Sequence, residues 1–139
     1  MFELPNAVNV PLIMVGPGTG VVPFIGFIEQ RLELLAQQQD EEEVEDLLSK
    51  LGATKLYFGC RRPTTDYIFK EILNKGLKNG AISELNVAFS RGSEVEGCDG
   101  GNQYVQDILR THKEELITLI TKKSAVFFIC GNTKMGLDV

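Results

Sequence analysis

Four short stretches combine small and polar residues in ways a buried core would not use: Gly16-Pro17-Gly18-Thr19-Gly20, Gly59-Cys60-Arg61-Arg62, Ser90-Arg91 and Cys130-Gly131-Asn132-Thr133. In the first, glycine permits tight backbone conformations and removes the Cβ that would hold a ligand off. A helix that starts behind such a loop points unpaired N–H groups and its positive dipole end at an anion such as pyrophosphate. The loop is neither GxGxxG, since Val21 follows Gly20, nor a P-loop, since no lysine follows. By itself it also fits a plain strand-to-helix turn. Ser90-Arg91 pairs a hydroxyl with a planar, permanently charged donor suited to phosphate, although an ordinary strand end would read the same way.

Each stretch follows an apolar run: Val10–Val15, Lys55–Gly59, Leu85–Ser90 and Ala125–Cys130. Runs apolar on both faces suit the strands of a buried parallel sheet. Between them Ile25, Ile28, Leu32 and Leu35 recur at helical spacing, as do Ile68, Phe69, Ile72 and Leu73. The spacing predicts one long third helix with Val105, Ile108, Leu109, Leu116, Leu119 and Ile120 on a single stripe. Strand and helix therefore alternate as in an α/β fold with a doubly wound parallel sheet, which binds ligands beyond the carboxyl ends of its strands. All four stretches are expected at those ends.

The 139 residues and 43% hydrophobic content suit one domain with a real core. Neither the N-terminal residues nor any apolar run resembles a secretory signal or a membrane span, so no membrane contact is expected from this segment. Three cysteines without a CxxC spacing disfavour a disulfide framework and a zinc site, and suggest a reducing, cytoplasmic setting. The net charge of −5 is local: between Glu29 and Lys50 there are eight acidic and two basic residues, leaving 11 acidic against 12 basic elsewhere. The run DEEEVEDLLSK reads as a solvated helix end and loop. No basic stripe exists for nucleic acid. His112 falls on the apolar stripe and reads as a packed histidine, and Pro23 suits a first helical turn.

The segments PLIMVGPGTGVVPFIGFIEQR, LYFGCRRPTTDYIFKEIL, LNVAFSR, YVQDIL and FFICGNTKMGLDV, in that order, resemble the NADPH-binding half of the diflavin reductases, whose fold is of the ferredoxin–NADP reductase type. The long gap between Ser90-Arg91 and Tyr104 is most similar to the methionine synthase reductase branch, and CGNTKM is closer to the nitric oxide synthase form. The resemblance covers about Pro11 to Val139.

It implies roles residue by residue. Gly18 and Thr19, with Gly16 and Gly20 shaping the loop, would hold the NADPH pyrophosphate. Ser90 and Arg91 would take the 2'-phosphate, Tyr104 would stand beside the adenine end, and Arg61 and Gln106 would make secondary contacts. Cys130, followed by Gly131, would lie beside the nicotinamide, with Asp138 as a late contact in the catalytic end. The family also implies FAD and FMN in a longer parent chain, and an acceptor protein, methionine synthase or a cytochrome. A non-catalytic nucleotide-binding module remains an alternative on the same residues.

The sequence departs from the family where several relatives carry a lysine before the tyrosine; here Asn102 and Gln103 stand, with Glu94, Glu96 and Asp99 in the same loop. A weaker preference for NADP over NAD is the consequence to expect. Flavin-domain signatures such as Arg-x-Tyr-Ser do not occur. Residues 1–139 are accordingly expected to be an NADPH-binding domain truncated at its C-terminal end, before the family's closing helix and strand, and inactive as a reductase alone.

Overall fold

The structure, a computed structural model, describes residues 9–63, 65–91 and 103–131. Four strands, β1 (Leu12–Pro17), β2 (Thr54–Cys60), β3 (Glu84–Phe89) and β4 (Val126–Ile129), form one sheet in the order β3-β2-β1-β4, with every pair parallel. A parallel sheet needs cover on both faces, and the alternation of side chains divides the core accordingly. Met14, Leu56, Phe58 and Cys60 point to one face, packed with Phe24, Ile25 and Ile28 of helix α1 (Val22–Ala36) and Leu73 of α3 (Lys70–Asn79). Ile13, Val15 and Tyr57 point to the other, under Val105 and Leu109 of α4 (Val105–Thr111) and Leu116 of α5 (Lys113–Lys123). The doubly wound expectation therefore holds.

Three local readings change. The stripe expected from Val105 to Ile120 is two helices, broken at His112 (φ −93°, ψ 10°), and Ile117 and Ile120 turn outward. Tertiary bonds decide the break: Tyr57 Oη lies 2.8 Å from His112 Nδ1 with the rings edge to face, and Lys55 Nζ binds Glu115 of α5 at 2.6 Å as well as Glu84 of β3. Ile68 and Phe69 precede α3 rather than belonging to it, and Phe69 caps the helix in a left-handed conformation (φ 59°). The acidic run is a helix of its own, α2 (Glu41–Lys50). Asp40 Oδ1 accepts from Glu43 N at 2.9 Å, and Glu43 reaches back to Gln39 N at 2.8 Å, so the two termini-facing carboxylates supply what the few apolar residues do not.

Burial of the Cys60 thiol, aided by the Asp66 carboxylate, raises its pKa to about 11 from 9.0. The folded chain therefore binds a proton that the unfolded chain releases. Stability from this group is complete below about pH 9 and is lost as pH rises toward 11. Tyr57, raised by burial, adds to the same alkaline loss above its ordinary value of 10. Urea midpoints between pH 8 and 11 should fall steeply for the native chain and less for Cys60→Ala; equal slopes would refute the assignment.

Candidate functional site

The strand order changes direction at β1, whose neighbours are β2 on one side and β4 on the other. Such a switch point opens a crevice at the carboxyl ends. β1 delivers the glycine loop there, and β4 delivers Cys130 and Gly131 opposite it.

Gly18–Val21 forms a single 3₁₀ turn leading into α1, with Pro23 in the first helical turn. No side chain caps either N-terminus. A Cβ on Gly16 would stand 2.6 Å from the Gly20 carbonyl oxygen, and one on Gly20 would overlap the Cys130 carbonyl oxygen. The loop is thus folded on itself and pressed backbone to backbone against the end of β4. Gly18 differs: its φ is +58°, and among the described residues no atom beyond its chain neighbours lies within 4 Å of where its Cβ would be. The open side of the loop is the side where a ligand's anionic groups could approach the backbone.

Pairing continues past the ends of the other strands. Ser90 N donates to Cys60 O at 2.9 Å and Arg91 N to Arg61 O at 2.8 Å, so these two pairs of residues are neighbours. Gln103 N donates to Phe89 O at 2.9 Å, which returns the chain to the tip of β3 and sets Tyr104 beside Ser90-Arg91. Gly59 allows the return: a Cβ there would stand 3.1 Å from Val105 Cγ1. Tyr104, held by its N–H to Asp107 Oδ2 at 2.9 Å, is 59% exposed, and Arg61 and Arg91 are also exposed. An exposed aromatic side chain and two exposed arginines at the same end of the sheet are the residue types that stack a base and bind a phosphate.

Cys130 N donates to Val15 O at 2.9 Å, and the residue, half-buried, packs against the α1 side of the core with Gly131 exposed after it. Gly16, Gly18, Thr19, Gly20, Cys130 and Gly131 thus share one end of the sheet with Arg61, Ser90, Arg91 and Tyr104. Gln106 instead lines a groove of about 330 Å³ between α4, α5 and Phe127 of β4. Asp138 and the loop acids Glu94, Glu96 and Asp99 lie outside the described residues.

Asp66 was not evident from residue types alone. It accepts from Arg62 N at 3.1 Å and Thr65 Oγ1 at 3.0 Å, and lies 3.5 Å from Arg61 Nη2. An acid four residues after an arginine was the available signal. At the opposite end of the sheet, Glu84, His112 and Glu115 lie close enough to share a cation. The Lys55 ammonium already sits on both carboxylates, so this cluster is an ion-paired strap between β2, β3 and α5.

The geometry is that of a nucleotide-binding half of an oxidoreductase, and the chain belongs to the oxidoreductase NAD-binding domain family, whose model matches residues 14–139. It is similar to methionine synthase reductase of Mus musculus, 40% identical over 139 residues, and to NADPH–cytochrome P450 reductase of Oryctolagus cuniculus, 45% identical over 139 residues. Both alignments cover 99% of this chain but only 19% and 18% of those proteins, so the chain spans about a fifth of the length of these relatives. The fold also matches a ferredoxin–NADP+ reductase from Plasmodium falciparum, solved with 2'P-AMP, with a TM-score of 0.72 at 23% identity, covering 99% of this chain and 50% of that one. Among the described residues no helix is long and apolar enough to cross a membrane.

Proposed function

We propose that this chain is the NADPH-binding module of a diflavin oxidoreductase, and that its parent serves an acceptor protein of the methionine synthase kind. The single observation that carries the reading is the meeting of the Gly16–Gly20 loop with Cys130 at the switch point, at the same end of the sheet as Arg61, Arg91 and Tyr104. NADPH when bound supplies hydride to FAD, and electrons then leave through FMN to the acceptor. The chain's own residues orient and hold. The backbone of Gly18 to Gly20 receives the pyrophosphate, Ser90 and Arg91 the 2'-phosphate, and Tyr104 the adenine; Arg61 contributes a secondary contact, while Gln106 faces the groove of α4 and α5. Cys130, a small polarizable group at the end of β4, positions the nicotinamide, and Asp138 belongs to the same end of the ligand. The cysteines suit a reducing, cytoplasmic setting. A cytochrome as acceptor is the second reading, supported by the 45% identity to a P450 reductase.

Calorimetry with 2',5'-ADP and 5'-AMP tests the reading. Tighter binding of 2',5'-ADP is expected, and equal affinities would overturn the phosphate assignment. In the complete reductase, Cys130→Ala should slow hydride transfer by about 10-fold or more while leaving 2',5'-ADP affinity nearly unchanged, because alignment of reacting atoms controls the barrier and the adenine end controls the grip. Single-turnover kinetics would return Cys130 to a packing role if the rate were unchanged. The 139-residue chain alone should show no NADPH-dependent dye reduction without added flavin; turnover there would contradict the modular reading.

A further inference from the structure

The loop between β2 and α3 carries two arginines and one carboxylate that organises them. Asp66 accepts the Arg62 N–H through Oδ2, while Asp66 N donates to Arg62 O at 3.1 Å, closing the turn from both sides. Its other oxygen, Oδ1, faces Arg61 Nη2 at 3.5 Å, and Arg62 Nη1 lies 4.0 Å from Oδ2. Thr65 Oγ1 donates to the same carboxylate, and this bond, with Arg61 and the Arg62 N–H behind it, holds the Asp66 carboxyl below its usual range. Asp66 is the more sheltered partner, 22% exposed against 62% for Arg61. The acid is anchored and the arginine is the group it restrains. Tyr67, the next residue, is fixed between the rings of Phe58 and Phe89, so the anchor is tied to the tips of β2 and β3.

We propose that Asp66 is a positioning residue for 2'-phosphate recognition: it holds the Arg61 guanidinium beside Arg91, so that two arginines rather than one meet the phosphate. The inference rests on the phosphate site proposed above and adds to it a residue that does not itself touch the ligand. An exposed arginine loses substantial rotamer freedom when it binds, and a carboxylate that restrains it beforehand lowers that cost. The Arg91 N to Arg61 O bond keeps the two backbones adjacent, so restraint of one side chain acts at the position of the other.

The test is Asp66→Asn in the 139-residue chain, with 2',5'-ADP and 5'-AMP as the probes. Asparagine retains an acceptor for the Arg62 N–H and so preserves the turn, but loses the charge that draws Arg61. The preference for 2',5'-ADP over 5'-AMP should fall about 3- to 10-fold, with 5'-AMP affinity unchanged. In an Arg61→Ala background the same substitution should have no effect on that preference, a result a purely structural role would not produce. An increased preference in Asp66→Asn would show the carboxylate competing with phosphate, and would overturn the proposal. So would an unchanged preference in a chain where Arg91→Ala abolishes it. If the native chain shows no preference and Arg91→Ala changes nothing, the phosphate site itself has failed, which is distinguishable. Should Asp66→Asn not fold, Arg61→Ala against Arg61→Lys decides: equal preference in the two native-Asp66 chains and in the unsubstituted chain would exclude any part for Arg61, and the proposal with it.

Discussion

Gly20→Ala should disable this domain more severely than any other single-methyl addition in the loop. The added Cβ would overlap the Cys130 carbonyl oxygen and stand 2.9 Å from its carbon, and both are backbone atoms with no rotamer to yield. Cys130 cannot withdraw freely, because its N–H is bonded to Val15 O at 2.9 Å in the β1–β4 pairing. Nor can the loop, because Gly20 O already lies only 2.6 Å from where a Cβ on Gly16 would be. Overpacking a core costs about 1–3 kcal/mol where side chains can adjust, so about 3 kcal/mol or more is expected here, with loss of most nucleotide affinity. Gly18→Ala is the control. Among the described residues nothing crowds its Cβ position, and the left-handed backbone (φ +58°) is penalised by about 1–2 kcal/mol. Urea unfolding of the two variants should rank Gly20→Ala as the less stable; the reverse order would mean that the loop does not close on β4.

Arg91→Ala should remove most of the preference for 2',5'-ADP over 5'-AMP, about 10- to 100-fold, with little change in stability. A hydrogen bond to a charged group contributes about 1.5–3 kcal/mol, which corresponds to that range. The lower part of the range is favoured by Asn102 and Gln103 standing where several relatives have a lysine, and by the acids of the same loop. Stability should hold because the Arg91 side chain is exposed and its structural bond, N–H to Arg61 O, belongs to the backbone. Calorimetry at moderate salt measures both nucleotides in one series, since phosphate contacts weaken as ionic strength rises. An unchanged ratio would remove Arg91 from the phosphate site and leave the glycine loop and Tyr104 as the remaining nucleotide contacts.

Much of this architecture was legible locally. The alternation that sends Met14 to one face and Ile13 and Val15 to the other depends only on the two-residue period of a strand. Gly16, Gly18 and Gly20 announced a loop without side chains before any contact was known, because the absence of a Cβ is a property of the residue itself. The acidic helix could also have been found, from Asp40 followed three residues later by Glu43. What the chain could not disclose locally are meetings between distant residues. Gly20 owes its necessity to Cys130, 110 positions later, and Gly59 makes room for Val105. Helical periodicity alone would run straight through His112, but Tyr57 holds His112 itself and Lys55 holds Glu115 just after it to β2, and so the chain divides into α4 and α5. Residue type and period determined which segments become strands, which turns stay bare and which side chains could bind an anion. Only the parallel pairing of β1 with β4 and of β2 with β3 decided which of those segments end side by side at one edge of the sheet, because hydrogen-bond register, unlike periodicity, exists only between segments.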